Sequence, residues 1–239
     1  MSEKHCYAGK DLEAMSFAVN YHRWILSLFK PYLGERVVEV GAGTGSFSEL
    51  LLEQRLQSLS LVEPSVEMYQ QLCRRMEEVS APVKTYNDIF ENVADRIRAN
   101  ERPDSIIYIN VLEHIADDVH ELSVINQTLA AGGRLLIFVP AFRWLYGSYD
   151  RQINHFRRYT RSELEQKCVA AGFRVIASRY FDLLGVLPWW VKYRLLQSKN
   201  MEPGAVKFYD QRVVPIAKSL ESRVTPPLGK NVLLVAERV

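Results

Sequence analysis

Short β-branched runs alternate along this chain with stretches in which apolar residues recur every three or four positions. Arg36–Val40 is followed by Phe47, Leu50 and Leu51, then by Leu59–Val62, then by Tyr69, Leu72, Cys73 and Met76, and then by Pro82–Tyr86. Alternating strand and helix periods of this kind predict βαβ units and a parallel sheet. Ser105–Ile109 shows no polar alternation, as expected of a strand covered on both faces, and Leu122, Ile125 and Leu129 place a helix before Gly132 and Gly133. Arg134–Val139 is predicted as a fifth strand. Thr160-Arg-Ser-Glu163 fits a capping box, in which the threonine oxygen and the glutamate side chain satisfy orphan amides at a helix start. A helix is therefore expected over about Arg161–Ala171, with Gly172 at its exit and a strand over Phe173–Phe181.

Upstream, Leu12, Met15 and Val19, then Trp24, Ile25 and Leu28, predict one or two helices ending near Pro31. Downstream of Phe181 the pattern changes. Leu183–Gln197 is apolar around Pro188-Trp189-Trp190, Asn200–Gly204 is a polar break, Val206–Val224 is helical apart from Pro215, and Val232–Ala236 reads as a last strand. The expected organisation is a helical cap over 1–34, an α/β core over 35–182 and 229–239, and a helical insertion over 183–228.

Length and composition narrow the function. The 239 residues suffice for one core with an elaboration. Thirty Lys+Arg against 28 Asp+Glu leave a net charge of +2, too little for the basic footprint of a nucleic-acid binder. The N-terminal residues have no apolar leader core, and Leu135–Phe142 and Leu183–Val191 are too short to span a bilayer, so a soluble cytoplasmic protein is expected. Cys6, Cys73 and Cys168 lack any C-x-x-C spacing and are expected to be buried free thiols.

The most informative motif is Val37-Val-Glu-Val-Gly41-Ala42-Gly43-Thr-Gly45, a strand running into a glycine turn and then a helix. Such a turn lets backbone approach a ligand and presents amides at a helix start, which points to a nucleotide-like cofactor. A dinucleotide fingerprint needs its third glycine at position 46, which is Ser46. The G-x-G-x-G spacing after Glu39 instead resembles motif I of the class I S-adenosylmethionine-dependent methyltransferases. Glu63-Pro64 at the end of the second strand, Asp88-Ile89 after the third, Asn110-Val-Leu-Glu-His114 after the fourth and Ala131-Gly-Gly-Arg-Leu-Leu-Ile137 strengthen the resemblance. It implies a Rossmann-like sheet, mostly parallel with the last strand antiparallel, that binds S-adenosyl-L-methionine. Glu39, Gly41, Ala42, Gly43 and Gly45 would line the cofactor loop. Glu63 with Pro64 would meet the ribose, Asp88 and Ile89 the adenine, and Asn110 the same strand edge. The acceptor implied is a small molecule rather than a nucleic acid, since the N-P-P-Y and D-P-P-Y patterns of base-methylating enzymes are absent.

Two histidines are candidate bases, His114 and His155. His114 can equally serve packing. Some quinone methyltransferases that the chain resembles place a metal at this pair, but Glu113-His114 lacks a second histidine at helical spacing, so no metal is expected. His155 lies in Tyr146-Gly-Ser-Tyr-Asp150…His155-Phe-Arg-Arg-Tyr-Thr160, a loop of mixed aromatic and cationic groups. Tyr146, Arg157, Arg158 and Tyr159 read either as contacts to an anionic acceptor or as a solvated ion-pair network with nearby acids. Trp189, with Trp190 and Tyr193, can roof the acceptor, pack the insertion on the core, or touch a lipid surface or second subunit.

Overall fold

The computed structural model describes residues 18–77, 79 and 83–239. Cys6 and the helix expected around Leu12 and Met15 lie outside these residues, as does the first residue of the Pro82–Tyr86 strand. The core is a seven-stranded sheet: β1 (Arg36–Val40), β2 (Ser58–Val62), β3 (Val83–Tyr86), β4 (Ser105–Ile109), β5 (Arg134–Pro140), β6 (Phe173–Phe181) and β7 (Asn231–Arg238). Their order is β3-β2-β1-β4-β5-β7-β6. The first five strands are parallel, and β7 runs antiparallel between β5 and β6. The expected fold class is the observed one.

Side chains alternate across the central strands, so the sheet buries two separate layers. Val38, Ile106, Tyr108, Leu135 and Ile137 face α4 (Phe90–Asn100), α5 (Asp118–Thr128) and α7 (Arg161–Ala170). Val37, Leu61, Ile107, Leu136 and Phe138 face the other layer, made by α1 (Val19–Phe29), α2 (Ser48–Leu52), α3 (Val66–Glu77) and α10 (Val214–Glu221). The capping box at Thr160 is present, with Thr160 and Glu163 bonding each other's backbone. A short α6 (Ser148–Gln152) interrupts the loop after β5. Cys168 is a buried free thiol as expected, whereas Cys73 is only half-buried.

Between β6 and β7 the chain is helical. α8 (Val186–Trp189) continues into a π-helical stretch, Trp190–Leu195, and α9 (Pro203–Phe208) reaches α10 through another, Tyr209–Val213. Pro215 lacks an N–H, and the wider turn just before it lets the helix continue past the missing donor. Because Phe181 and Asn231 are paired across β6 and β7, this insertion leaves and rejoins the sheet at one edge, where the parallel strands also end. It is tied to α1 by Asp210, whose buried carboxylate accepts the Asn20 and Tyr21 amides at 3.1 and 2.8 Å. Those are orphan donors of a helix start. Tyr21 adds ring contacts to Phe138 and Phe181.

Replacing Asp210 with alanine orphans these amides. Asp210→Ala should lower stability by about 1.5–3 kcal/mol, as for hydrogen bonds to a charged group. A fall in the urea midpoint at unchanged slope would report it. An unchanged midpoint would mean that ring packing alone holds α1.

Candidate functional site

All five parallel strands end on the same edge, so the residues following them converge there. Gly41 follows β1 with φ +71°, and a Cβ at this position would lie 2.3 Å from Val111 Cγ2, so only glycine lets the two strand ends approach so closely. Gly43, at φ +57°, donates its amide to Glu63 Oε2 at 2.8 Å. Glu63 Oε1 accepts the Ser65 amide at 2.8 Å. One carboxylate thus fixes the glycine turn against the end of β2. Burial pushes the Glu63 pKa up, against the pull of these two amides. Glu39 is buried beneath the turn and accepts the Ser48 hydroxyl; desolvation pushes it up to about 8, reinforced by the charge of Glu63.

Pro64 is exposed beside Glu63. Asn87 clamps this corner by donating to the Glu63 carbonyl at 2.8 Å. Asp88 bonds its neighbours at the start of α4, accepting Ile89 N–H and Asn92 Nδ2, and Ile89 is half-exposed. Asn110 has φ +52° and donates its amide to Phe138 O, which turns the chain sharply after β4. Ala42 is buried against the same edge. The cofactor-side residues read from sequence therefore share one rim.

The acceptor-side residues are placed differently from their first reading. Arg158 is 3 % exposed and pairs with Asp150 through Nε and Nη2, at 2.7 and 3.1 Å, while Nη1 reaches Ala141 O. Arg157 pairs with Asp118 at 2.7 Å, and Lys167 reaches the same carboxylate at 2.7 Å. Tyr159 is fully buried and donates its hydroxyl to Asp118. Of the two sequence readings this arrangement is that of an ion-pair network: Arg158 and Tyr159 brace the loop internally, and Arg157 is neutralised by Asp118. The reason is burial: a carboxylate removed from water must find donors, and Asp150 and Asp118 take the nearest cations. Tyr146 donates to His155 O. Trp189 donates to Leu145 O and lies under Arg158, 4.8 Å from its ring centre.

His155 is 8 % exposed, with Nδ1 2.8 Å from Asp150 Oδ1 and Nε2 3.7 Å from Glu113 Oε1. Burial lowers its pKa although Asp150 opposes the shift. Burial works to raise Asp150, but bonds from His155 and Arg158 outweigh it and hold the carboxyl below its ordinary value. His114 packs edge-on against the His155 ring at 4.5 Å between centres, and burial lowers its pKa to about 3. Glu113 is fully buried and pushed up to about 8, chiefly by desolvation. Ser48, Asn87 and Asp118 have no role in the sequence reading, Asp150 enters it only as one of the acids that could neutralise the arginines, and Glu113 only as half of a metal pair that is set aside. Only the acids' apolar neighbours hinted at burial.

A family model described as a methyltransferase domain matches residues 13–178. No curated protein matches the chain. Among solved structures, the complex of the Haloferax volcanii Trm112 methyltransferase activator and a putative methyltransferase is similar at 15 % identity, 99 % coverage of both chains and a TM-score of 0.63. A SAM-dependent methyltransferase from Archaeoglobus fulgidus is similar at 16 % identity, 95 % and 99 % coverage and a TM-score of 0.60. The Burkholderia thailandensis 1,6-didemethyltoxoflavin-N1-methyltransferase, solved with 1,6-didemethyltoxoflavin and S-adenosylhomocysteine, matches at 16 % identity, 100 % and 92 % coverage and 0.60.

Removing Asp150 leaves Arg158 buried without its counter-charge. Asp150→Ala should cost about 3–5 kcal/mol, the usual penalty for breaking a buried pair. A stable variant would return Arg158 to the acceptor. Glu39 gives a pH test. Its folded pKa of about 8 lies above the unfolded value of 4.5, so the stabilisation it contributes is complete below 4.5 and lost as pH rises through 8. Glu39→Gln cannot titrate, so its stability relative to the parent should grow between pH of about 5 and about 8, by roughly 1.4 kcal/mol for each step of one in pH. A pH-independent difference would argue against a buried, protonated Glu39.

Proposed function

Because the chain belongs to the methyltransferase-domain family, we propose that it transfers a methyl group from S-adenosyl-L-methionine to a small-molecule acceptor by direct displacement. S-adenosylmethionine supplies an activated methyl on a sulfonium. The acceptor lone pair forms the new bond to carbon, the carbon–sulfur pair leaves with sulfur, and any acceptor proton passes to a base or to solvent. The observation that carries this reading is the Glu63 carboxylate, pinned by the Gly43 and Ser65 amides at the carboxyl edge. Its remaining lone pairs suit the two hydroxyls of a ribose.

Gly41, without a Cβ, supports close backbone approach, and Glu39, buried beneath the turn, braces it through the Ser48 hydroxyl. Asp88, Ile89 and Asn110 complete the proposed cofactor rim. The chain's main task would be alignment and exclusion of water. Orientation supplies up to about 7–11 kcal/mol in intramolecular models, whereas a general base adds roughly 10²–10⁴ in rate. His155, oriented by Asp150, is the better-positioned candidate base, and His114 adjoins it.

An anionic acceptor loses support, since Arg157 and Arg158 are engaged by Asp118 and Asp150. Tyr146 and Trp189 favour a planar or apolar acceptor. A cofactor-binding partner subunit without turnover is the second reading, which methyl transfer to any acceptor would exclude.

Glu63→Gln sets an amide donor against two backbone donors. Its affinity for S-adenosylhomocysteine by calorimetry should fall by about 1.5–3 kcal/mol. Gly41→Val, strained at positive φ and colliding with Val111, should abolish binding while circular dichroism stays that of a folded protein. Normal affinity in both variants would remove this rim from the cofactor site.

A further inference from the structure

We propose that Glu113, His114 and His155 form a site for one divalent transition-metal ion of the kind that takes imidazole and carboxylate together, such as zinc. From sequence no metal is expected, because Glu113-His114 has no second histidine nearby. The fold supplies it from a loop 41 positions away. One donor atom from each of the three residues lies within 4.8 Å of the other two.

Three observations converge. First, Glu113 is fully buried, and neither carboxylate oxygen has a hydrogen-bond partner among the described residues. A buried carboxyl group whose oxygens meet no donor is a costly arrangement, and a bound cation would relieve it. Second, His155 Nδ1 bonds the Asp150 carboxylate at 2.8 Å, which fixes the proton on that nitrogen and turns the Nε2 lone pair towards Glu113 Oε1, 3.7 Å away. With Glu113 ionised, two lone-pair groups face each other, and a cation between them would satisfy both. A carboxylate behind a ligating imidazole is also the usual outer support of such sites. Third, His114 packs against His155 and is itself held by a backbone hydrogen bond at Ile153.

The rival occupant is a proton shared by Glu113 and His155. It needs two donors rather than three, and 3.7 Å is too long for that hydrogen bond. On a tetrahedral zinc with ligands at about 2.0–2.1 Å, neighbouring donors sit roughly 3.3 Å apart; His155 Nε2 and Glu113 Oε1 are 3.7 Å apart and all three donors lie within 4.8 Å of one another, so the side chains need close only a little on an ion. Two nitrogens and one oxygen also leave a fourth position open, as catalytic rather than structural zinc sites do. An ion here would pin the 141–160 loop to the end of β4. An ion bound through His155 Nε2 would take the place of the base role considered for that histidine, and the site itself does not depend on the methyl-transfer reading.

The test is binding, not turnover. Full-length protein stripped with a chelator should take up one Zn²⁺ per chain, and Co²⁺ in its place should give visible ligand-field bands without thiolate charge transfer. Glu113→Gln and His155→Gln should each weaken Zn²⁺ affinity at least tenfold while keeping a cooperative melt. If His155→Gln fails to fold, His114→Gln serves instead. Absence of saturable Zn²⁺ and Co²⁺ binding, or equal affinity in the variants and the parent, would overturn the site. So would a proton shared between His155 and Glu113, seen by NMR, that persists at saturating Zn²⁺.

Discussion

Burying carboxylates at the carboxyl edge of the sheet is the constraint on which the rest of this protein depends. Glu39, Glu63, Glu113, Asp118, Asp150, Asp182 and Asp210 are all buried there or in the helices above it. Each costs the dehydration of a charge or a carboxyl group, and all but Glu113 offset it with donors. Those donors come from distant segments. Glu63 holds the glycine turn and the start of the next helix. Asp150 holds Arg158, His155 and the Gly147 amide. Asp118 joins Arg157, Lys167 and Tyr159, and Asp182 joins Tyr209 and Lys230. The acids act as nodes that fix the loops of the edge relative to one another.

This accounts for the arginine-rich loop in a chain of nearly balanced charge. Arg157 and Arg158 face inward because the acids they neutralise, Asp118 and Asp150, lie inside, on α5 and on the loop itself, whereas Arg151 and Arg161 stay exposed. Charge density in a sequence distinguishes poorly between a ligand site and an internal ion pair. What separates the two is burial, and burial is set by which strands end nearby. A guanidinium that is 3 % exposed between a carboxylate and a tryptophan face is held by its neighbours rather than presented to solvent.

The fold was legible because its signals are local. Uncovered β-branched runs, the Thr160 capping box and the glycine turn each state their own geometry, and the strand expected over Phe173–Phe181 is the one observed. The convergence of Gly41, Glu63, Asp88 and Asn110 on one rim was legible for the same reason, since each follows a strand end. The acceptor side was not, because its contacts span long separations: Asp118 with Arg157, Glu113 with His155, Asp210 with Tyr21. No residue pattern near Glu113 announces that a histidine 42 positions later will face it. The π-helical stretches before Pro215 and after Trp189 were equally hidden, since they arise from accommodation within the insertion rather than from a sequence period.

The antiparallel β7 has a consequence for specificity. Reversing the last strand returns the insertion to the edge from which it left, so its helices, the 141–160 loop and α1 must share the space above the strand ends. They do so through contacts that leave little slack: Gly147 has no room for a Cβ against the Tyr193 carbonyl, Ser148 donates to that same carbonyl, and Trp189 fits between Arg158 and Lys230. The glycine turn, by contrast, contacts mainly β2 and β4. Changes in the insertion can therefore reshape the space above the strand ends while the glycine turn keeps its hydrogen bond to Glu63, so a common sheet can carry different surroundings by varying what lies between its last two strands.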